Sequence, residues 1–129
     1  QVVTRQPAPL VPAFWPPILK SDPLWADLRN TCRASFSNRP GRYHNGGLWP
    51  VVNGWWGCAL IDRQRRDDAE ELNAALAEAN LGEGVAESPF PEYLDASDGT
   101  AAGVTPCSWS AAGLVLLEHA IDGETLYFS

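Results

Sequence analysis

One carboxylate stands out among the residues that could do chemistry, because its neighbours are rigid and aromatic. Glu92 lies between a proline and Tyr93 in the segment PFPEYLDASDG, which spans residues 89–99. Proline restricts the backbone, so this setting can hold a carboxylate still. Glycoside hydrolysis uses two carboxyl groups, one as the acid and one as the base or nucleophile. Asp95 and Asp98 lie close by in sequence, although both residues are also typical of ordinary turns.

A second candidate cluster is the segment RYHNGGLWP, which spans residues 42–50 and directly precedes an apolar stretch. It combines an imidazole, an amide, two glycines and aromatic rings. Such a mixture suits a sugar, because rings stack on its C–H face while polar groups match its hydroxyls. A helix beginning at Pro50 would add unpaired N–H donors. The residues alone favour a simpler interpretation, a plain helix-entry turn in which His44 has a structural role.

The composition argues against several classes of partner and site. The chain of 129 residues has 16 acidic and nine basic residues and a net charge of −7, so nucleic acid is not an expected partner. Three widely spaced cysteines indicate free thiols in a reducing compartment rather than a disulfide scaffold. No apolar run approaches the ~18 residues of a membrane span, and no signal peptide is visible. We therefore expect a cytoplasmic protein with no membrane association, no metal and no cofactor.

Two further features of the composition bear on the organisation of the chain. Six tryptophans are compatible with a ring-lined cleft and equally with helix–helix packing. The chain contains no methionine, not even at position 1, which predicts that it is processed or cut from something longer.

The elements that must position these clusters are helices. Residues 1–20 contain five prolines and predict an extended arm, whereas residues 21–129 form the helical domain. The arm has apolar anchors, which are Leu10, Val11, Phe14 and Trp15. Apolar spacing and N-terminal caps predict four helices, which run from Ser21 to about Phe36, Pro50 to about Arg63, Asp67 to about residue 80, and Ser108 to about Ile121.

The faces of the last three helices differ. The second helix is apolar nearly all round and is predicted to be buried on most sides. The third has one apolar stripe, at Leu72, Ala75, Leu76 and Ala79. The last has a predicted stripe at Trp109, Ala112, Leu116, Leu117 and Ala120. The connection over residues 81–106 is long enough to indicate a functional role, and a short strand is predicted only at 125–128.

The motifs resemble, in their order along the chain, the neutral/alkaline invertases and the bacterial amylo-α-1,6-glucosidase-like and processing-glucosidase-like proteins. That order is YHNGGxWP, an apolar helix, an Ala-rich amphipathic helix, PEYxD, and finally WSxAG. The resemblance covers about Val11 to Ile121. It implies an all-α fold of helical hairpins that corresponds to the C-terminal part of an (α/α)6 barrel, preceded by the Pro-rich arm.

The resemblance also implies roles for particular residues. Glu92 corresponds to the general base of an inverting glycosidase that hydrolyses a small glucoside such as sucrose. The residues expected to bind the substrate are Tyr43, His44, Asn45, Gly46, Trp49, Tyr93 and Trp109. The general acid of these enzymes is an upstream Asp on a stretch that this chain lacks. The alternative is therefore a non-catalytic carbohydrate-binding or oligomer-forming helical fragment. A homo-oligomer, or assembly with the missing N-terminal part of the barrel, is expected in either case.

Overall fold

The structure is a computed structural model that describes residues 9–31 and 36–123. The chain is all-α in these ranges, apart from one 3-10 turn and a two-stranded sheet of two residues per strand. The helices are α1 (Trp25–Asn30), α2 (Pro50–Asp62), α3 (Arg66–Leu81) and α4 (Ser108–Asp122), the 3-10 turn is Glu83–Val85, and the strands are β1 (Tyr93–Leu94) and β2 (Ala101–Ala102).

Helices α2, α3 and α4 pack against one another around the apolar core. A turn of three residues connects α2 to α3 as a hairpin, with Gln64 at a positive φ. The predicted stripe of α3 is confirmed, since Leu72, Leu76 and Ala79 are buried and Ala75 is partly buried. Leucines from the other elements complete the core, which are Leu10, Leu48, Leu60, Leu94, Leu114 and Leu117.

Helices α2 and α4 approach so closely that only glycine fits where they meet. A Cβ atom on Gly54 would overlap the carbonyl oxygen of Gly113. A Cβ atom on Gly113 would lie 2.7 Å from Cα of Val51, and one on Gly57 would lie 2.5 Å from the Leu117 methyls. Backbone-to-backbone contact of this kind fixes the relative position of two helices, because neither can shift without a clash.

Two buried asparagine side chains hold the proline-rich arm against the helical part. The Asn53 amide accepts from Val11 N (2.7 Å) and donates to Val11 O (3.0 Å). Asn45 makes the same pair of bonds with Ile18, at 2.7 and 2.9 Å. Each amide thus satisfies a backbone N–H and C=O as a neighbouring strand would. The arm is therefore docked along its described length from residue 9.

Only part of the predicted anchoring of the arm is confirmed. Leu10 is fully buried and Val11 is partly buried. Phe14 and Trp15 are exposed, so they do not anchor the arm on the described residues. The prediction for residues 1–8 lies outside the described residues.

The first helix is shorter than the sequence predicts. It begins at Trp25 rather than Ser21, because the chain forms turns there: Asp22 N donates to Leu19 O and Trp25 N donates to Asp22 O. It ends at Asn30, and none of its residues is buried. With no buried face, a helix of six residues has little tertiary packing to extend it. Cys32, the last predicted position of its apolar repeat, lies outside the described residues.

The predicted stripe of the last helix is confirmed at Leu117 and Ala120, which are buried, but is wrong in the first turns of the helix. The buried residues of α4 are Ser110, Gly113, Leu114, Leu117 and Ala120. Trp109 and Ala112 are exposed instead, because the contact with Gly54 turns Gly113 toward α2. The end of the helix is as predicted, at Gly123 in the left-handed conformation with φ 80°.

Helix α2 has the predicted bounds to within one residue but is not buried on most sides. Trp55 and Trp56 are exposed, at 56% and 39%. Among the described residues Cys58 and Cys107 are free thiols, as predicted. No helix of the described residues is long and apolar enough to cross a membrane. The strand predicted at 125–128 lies outside the described residues.

Gly54→Ala should lower the free energy of unfolding by about 1–3 kcal/mol, because its methyl group would meet the backbone of α4 rather than a side chain that can move. Urea denaturation monitored by far-UV circular dichroism measures the change. Gly84→Ala is the matched control, since nothing lies within 4 Å of a Cβ atom there. Equal stability of the two variants would show that the helices are not held at this distance.

Candidate functional site

Glu92 is fixed at the mouth of a small hairpin that the sequence did not predict. Strands β1 and β2 pair antiparallel directly after it, with Tyr93 opposite Ala102. The Glu92 backbone N–H donates to Val104 O (3.0 Å), and Val104 N–H donates to the Glu92 carboxylate at Oε2 (3.1 Å). A Cβ atom on Gly103, which has φ 82°, would overlap that same oxygen. The glycine therefore allows the backbone to reach the carboxylate.

The start of α4 supports the two residues before Glu92. Ser110 is fully buried, and its hydroxyl donates to Pro91 O (2.6 Å). Cys107 N–H donates to Phe90 O (2.7 Å). The backbone that leads into the carboxylate is thus held by the same helix that packs against α2.

A pair of backbone hydrogen bonds brings the two candidate clusters together. Leu48 N donates to Leu94 O and Leu94 N donates to Leu48 O, both at 2.9 Å. Both leucines are buried in the core. Each leucine is adjacent in sequence to an aromatic residue of its cluster, since Leu48 precedes Trp49 and Leu94 follows Tyr93. Two segments more than 40 residues apart in sequence therefore lie side by side.

Four of the predicted substrate-binding residues form a continuous aromatic cluster, which we call the ring cluster: Tyr43, His44, Trp49 and Tyr93. The Tyr43 and His44 rings are stacked at 4.2 Å, and the Trp49 and Tyr93 rings are nearly parallel at 5.8 Å. Tyr43 lies 5.1 Å from Trp49 and 5.7 Å from Tyr93, which links the two pairs. His44 is the exposed member of the cluster and Tyr93 the buried one.

The rings are held in place by backbone atoms. The Trp49 indole N–H donates to Tyr43 O (3.0 Å), which also accepts from Gly47 N (2.9 Å). A Cβ atom on Gly47 would lie 2.5 Å from that oxygen and 3.0 Å from the Tyr93 ring. Burial raises the pKa of Tyr93 above its usual value, which the positive charge of Arg42 partly offsets. The Tyr93 phenol therefore stays neutral at physiological pH and can donate a hydrogen bond.

Asn45 and Gly46 lie beneath the ring cluster rather than on its surface. The Asn45 side chain is buried and bonds Ile18, and it also donates to Asn38 O (3.1 Å). Gly46 is buried with φ 100°, and a Cβ atom there would lie 3.2 Å from Pro17. The structure thus gives both residues a role in seating the arm under the cluster.

Trp109 lies apart from these rings. It occupies the first turn of α4 and is 66% exposed, and it forms no ring pair with another described aromatic residue. Its neighbour Ser110 is the residue of this motif that contacts the Glu92 segment.

Asp95 has a structural partner that sequence reasoning did not identify. Its carboxylate is 3% exposed, and it accepts from the Arg42 guanidinium and from the N–H and hydroxyl of Ser97 (2.9 and 2.6 Å). Burial acts to raise the pKa of Asp95, but the Ser97 hydrogen bonds and Arg42 outweigh it, so the pKa lies below its usual value. The ion pair joins the two clusters a second time. Arg42 directly precedes the YHNGG motif and Asp95 is the last residue of PEYLD, but only the folded chain shows that they meet.

Neither Asp near Glu92 has the environment of a general acid. A catalytic acid must be protonated at working pH, which requires a raised pKa. Asp95 has a lowered one, and it is the only buried carboxylate among the described residues. Asp98 is exposed, and its side chain caps the turn by accepting from Thr100 N (2.8 Å). Within residues 9–31 and 36–123, no three His, Cys, Asp or Glu side chains are grouped as metal ligands would be.

Comparisons with known proteins give the family of the chain. Residues 16–123 match the family described as alkaline and neutral invertase. The chain is also 29% identical, over 124 residues, to neutral/alkaline invertase 1, mitochondrial, of Oryza sativa subsp. japonica. That alignment covers 88% of this chain and 19% of the rice protein, so the chain spans about a fifth of its relative's length.

The family match covers most of the chain and shows its class, which is a family of glycoside hydrolases. The chain belongs to the alkaline and neutral invertase family.

Asp95→Asn should destabilise the fold by about 1–2 kcal/mol at pH 7, since it weakens the bonds from Arg42 and Ser97. The pKa of Asp95 is lower when folded than its ordinary value of 3.8, so its contribution is fully present above pH 3.8 and is lost as pH falls through the lower folded value. Urea denaturation at pH 7 measures the loss of stability, and the same measurement at pH 2.5 shows whether the loss depends on the ionised carboxylate.

The difference between wild type and Asp95→Asn should therefore shrink on acidification. Asp98→Asn is the control, because its carboxylate is exposed and makes no ion pair with a described residue. A difference that stays constant with pH would contradict the ionised pair.

Proposed function

We propose that this chain provides the general base, Glu92, for the hydrolysis of a small glucoside such as sucrose by an inverting mechanism. The observation that carries the proposal is the way the carboxylate is held. One oxygen, Oε2, accepts from Val104 N–H (3.1 Å), and no described residue donates to the other. A base that activates water needs a fixed carboxylate with a free oxygen that can accept the water's proton.

The mechanism follows from this geometry. The free oxygen of Glu92 removes a proton from water as the water attacks the anomeric carbon from the face opposite to the leaving group. Fixing Oε2 on Val104 N–H stops the carboxylate from rotating, so the water is delivered in one direction. Ser110 contributes indirectly, because its bond to Pro91 O positions the backbone that carries the base.

The ring cluster supports the choice of a sugar as substrate. It is connected to Glu92 by Tyr93, the next residue, and it is partly open to solvent at Tyr43, His44 and Trp49. Half-exposed rings offer an apolar face for the C–H side of a sugar, while the His44 imidazole and the neutral Tyr93 phenol suit its hydroxyls. In this proposal Asn45 and Gly46 hold the loop that carries the rings in place. Trp109, which is apart from the rings, would form the outer edge of the substrate site.

The proposal assigns the general acid to polypeptide other than the described residues. Inverting catalysis requires the acid about 6.5–9.5 Å from the base, and Asp95 is held in the wrong ionisation state for that role. A family member some five times longer has ample chain to supply it, since this chain covers 19% of the rice relative. Turnover then depends on assembly with that part.

A second candidate function, an assembly-forming or sugar-binding unit without turnover, is favoured by exposed aromatic surface. Trp55 on α2, Trp109 on α4 and Val104 are each more than half exposed, and Phe14 is nearly half exposed. Exposed apolar patches of this kind mark contact surfaces. A second copy of the chain, or the remaining part of the barrel, would cover them.

Glu92→Gln should abolish hydrolysis with little change in sugar binding, because the amide keeps the shape of the side chain but cannot take a proton. We would replace the matching segment of the rice relative with this chain and measure reducing-sugar release from sucrose. The expected loss in kcat is about 10²–10⁴-fold. The first-formed anomer, followed by NMR, should have the opposite configuration to the substrate.

Glu87→Gln is the matched control, since Glu87 is an exposed acid of the same connecting segment. It should retain activity. Full activity of the chimera carrying Glu92→Gln, or retention of the substrate's configuration, would exclude the proposed role.

His44→Ala should weaken sugar binding by about tenfold, because it removes an exposed ring that stacks on Tyr43 and lies 5.0 Å from Trp49. Calorimetric titration of the chain with sucrose measures the change, and His119→Ala on α4 is the control of the same type. If neither the wild-type chain nor His44→Ala binds sugar, and the chain forms a tight oligomer in size-exclusion chromatography, the assembly function is supported instead.

A further inference from the structure

A cavity, which we call the basic cavity, lies beside α1 and shares no lining residue with the ring cluster. It has a volume of about 420 Å³ and is lined by Lys20, Trp25, Arg29, Phe36 and Arg39. Its size falls within the range of about 300–1,000 Å³ typical of small-molecule sites. Of the described residues that line it, three are cationic, two are aromatic and none is acidic.

The charge of this cavity is opposite to that of the chain. The protein carries a net charge of −7, yet Lys20, Arg29 and Arg39 bring three positive charges to one opening. The salt bridges among the described residues use other cations, namely Arg42, Arg65 and Arg66. Because all three charges lie around one opening, an anion bound there would be attracted by each of them.

The walls of the basic cavity are aromatic. The Trp25 and Phe36 rings meet edge to face at 5.3 Å and 84°, and both are half-buried. An edge-to-face pair presents ring surface to the space beside it, which suits the apolar face of a sugar ring. A guanidinium binds phosphate oxygens in a bidentate manner, and none of the described lining residues is a carboxylate that would compete for it.

The loop that carries Arg39 is anchored before any ligand arrives. Arg39 N donates to Ser37 O and Arg39 O accepts from Arg42 N, both at 2.9 Å. The preceding Asn38 is buried, and its side chain accepts from His44 N (3.1 Å). A fixed backbone lowers the entropy that ordering the site would cost on binding.

We infer that the basic cavity binds a phosphorylated monosaccharide, with the phosphate held by Arg29, Arg39 and Lys20 and the sugar ring against Trp25 and Phe36. Cation cluster, aromatic walls and volume together specify a ligand with one strong anionic group and one compact ring. The site is separate from Glu92, so the inference stands whether or not the proposed hydrolysis is confirmed.

The test is calorimetric titration of the whole chain with glucose 6-phosphate, with glucose and inorganic phosphate as comparison ligands. Glucose 6-phosphate should bind at least about tenfold more tightly than either, since only it uses both the cations and the rings. Binding should weaken as salt is added, because the contacts are ionic and partly exposed.

The variant Arg29→Gln/Arg39→Gln should lose at least about tenfold in affinity for glucose 6-phosphate. Arg65→Gln/Arg66→Gln is the matched control, because it removes the same charge from exposed ion pairs on α3. Lys20→Gln, outside any helix, gives a milder variant should the double change disturb folding, and circular dichroism checks that each variant folds.

Three results would overturn the inference. They are no binding of glucose 6-phosphate, equal affinity for inorganic phosphate, or equal loss of affinity in the control variant. Binding of an acidic or phosphorylated peptide with none of the sugar phosphate would likewise assign the cavity to a protein partner.

Discussion

The contact between Gly54 and Gly113 is the constraint on which the rest of the structure depends. It lies about one turn after the start of α2 and about one turn after the start of α4. Because a helix rises about 5.4 Å per turn, the close approach of the two backbones also sets the distance between the two helix starts. One start follows Trp49 directly, and the other carries Ser110, which holds the residue before Glu92. The segment of the ring cluster and the segment of Glu92 are therefore held side by side by a contact that neither of them makes.

The polar interactions of the site serve two different purposes. Asn45 and Asn53 use every part of their amides to bind backbone, so they make the arm a part of the helical core. Asp95 is committed to Arg42 and Ser97. Glu92 has one oxygen that no described residue engages, and this difference separates a candidate base from the structural acids around it.

Much of the fold could be predicted from the sequence, because helices α2, α3 and α4 carry strong local patterns. Apolar spacing, a leading proline and a terminal glycine locate their ends to within about one or two residues. The buried face in the first turns of α4 could not be predicted, because the apolar stripe that includes Trp109 and Leu116 has more hydrophobic surface than the face that is buried. The small residues of α4 are buried only because the backbone of α2 packs directly against them. The extent of α1 was likewise overestimated, since its apolar spacing meets no core.

What the sequence by itself determined is the identity of the chemistry-bearing residues and their order, from YHNGG through PEYLD to WSAAG. These are local features, because they depend on residue types at adjacent positions. Only the tertiary structure decided which distant segments lie side by side. It joins Leu48 to Leu94 by paired backbone hydrogen bonds, and it buries Asn45 and Asp95 in structural roles. It also leaves Glu92 with one oxygen that no described residue engages. The physical reason is that burial and hydrogen bonding depend on which distant segment arrives, and residue spacing along the chain carries no such information.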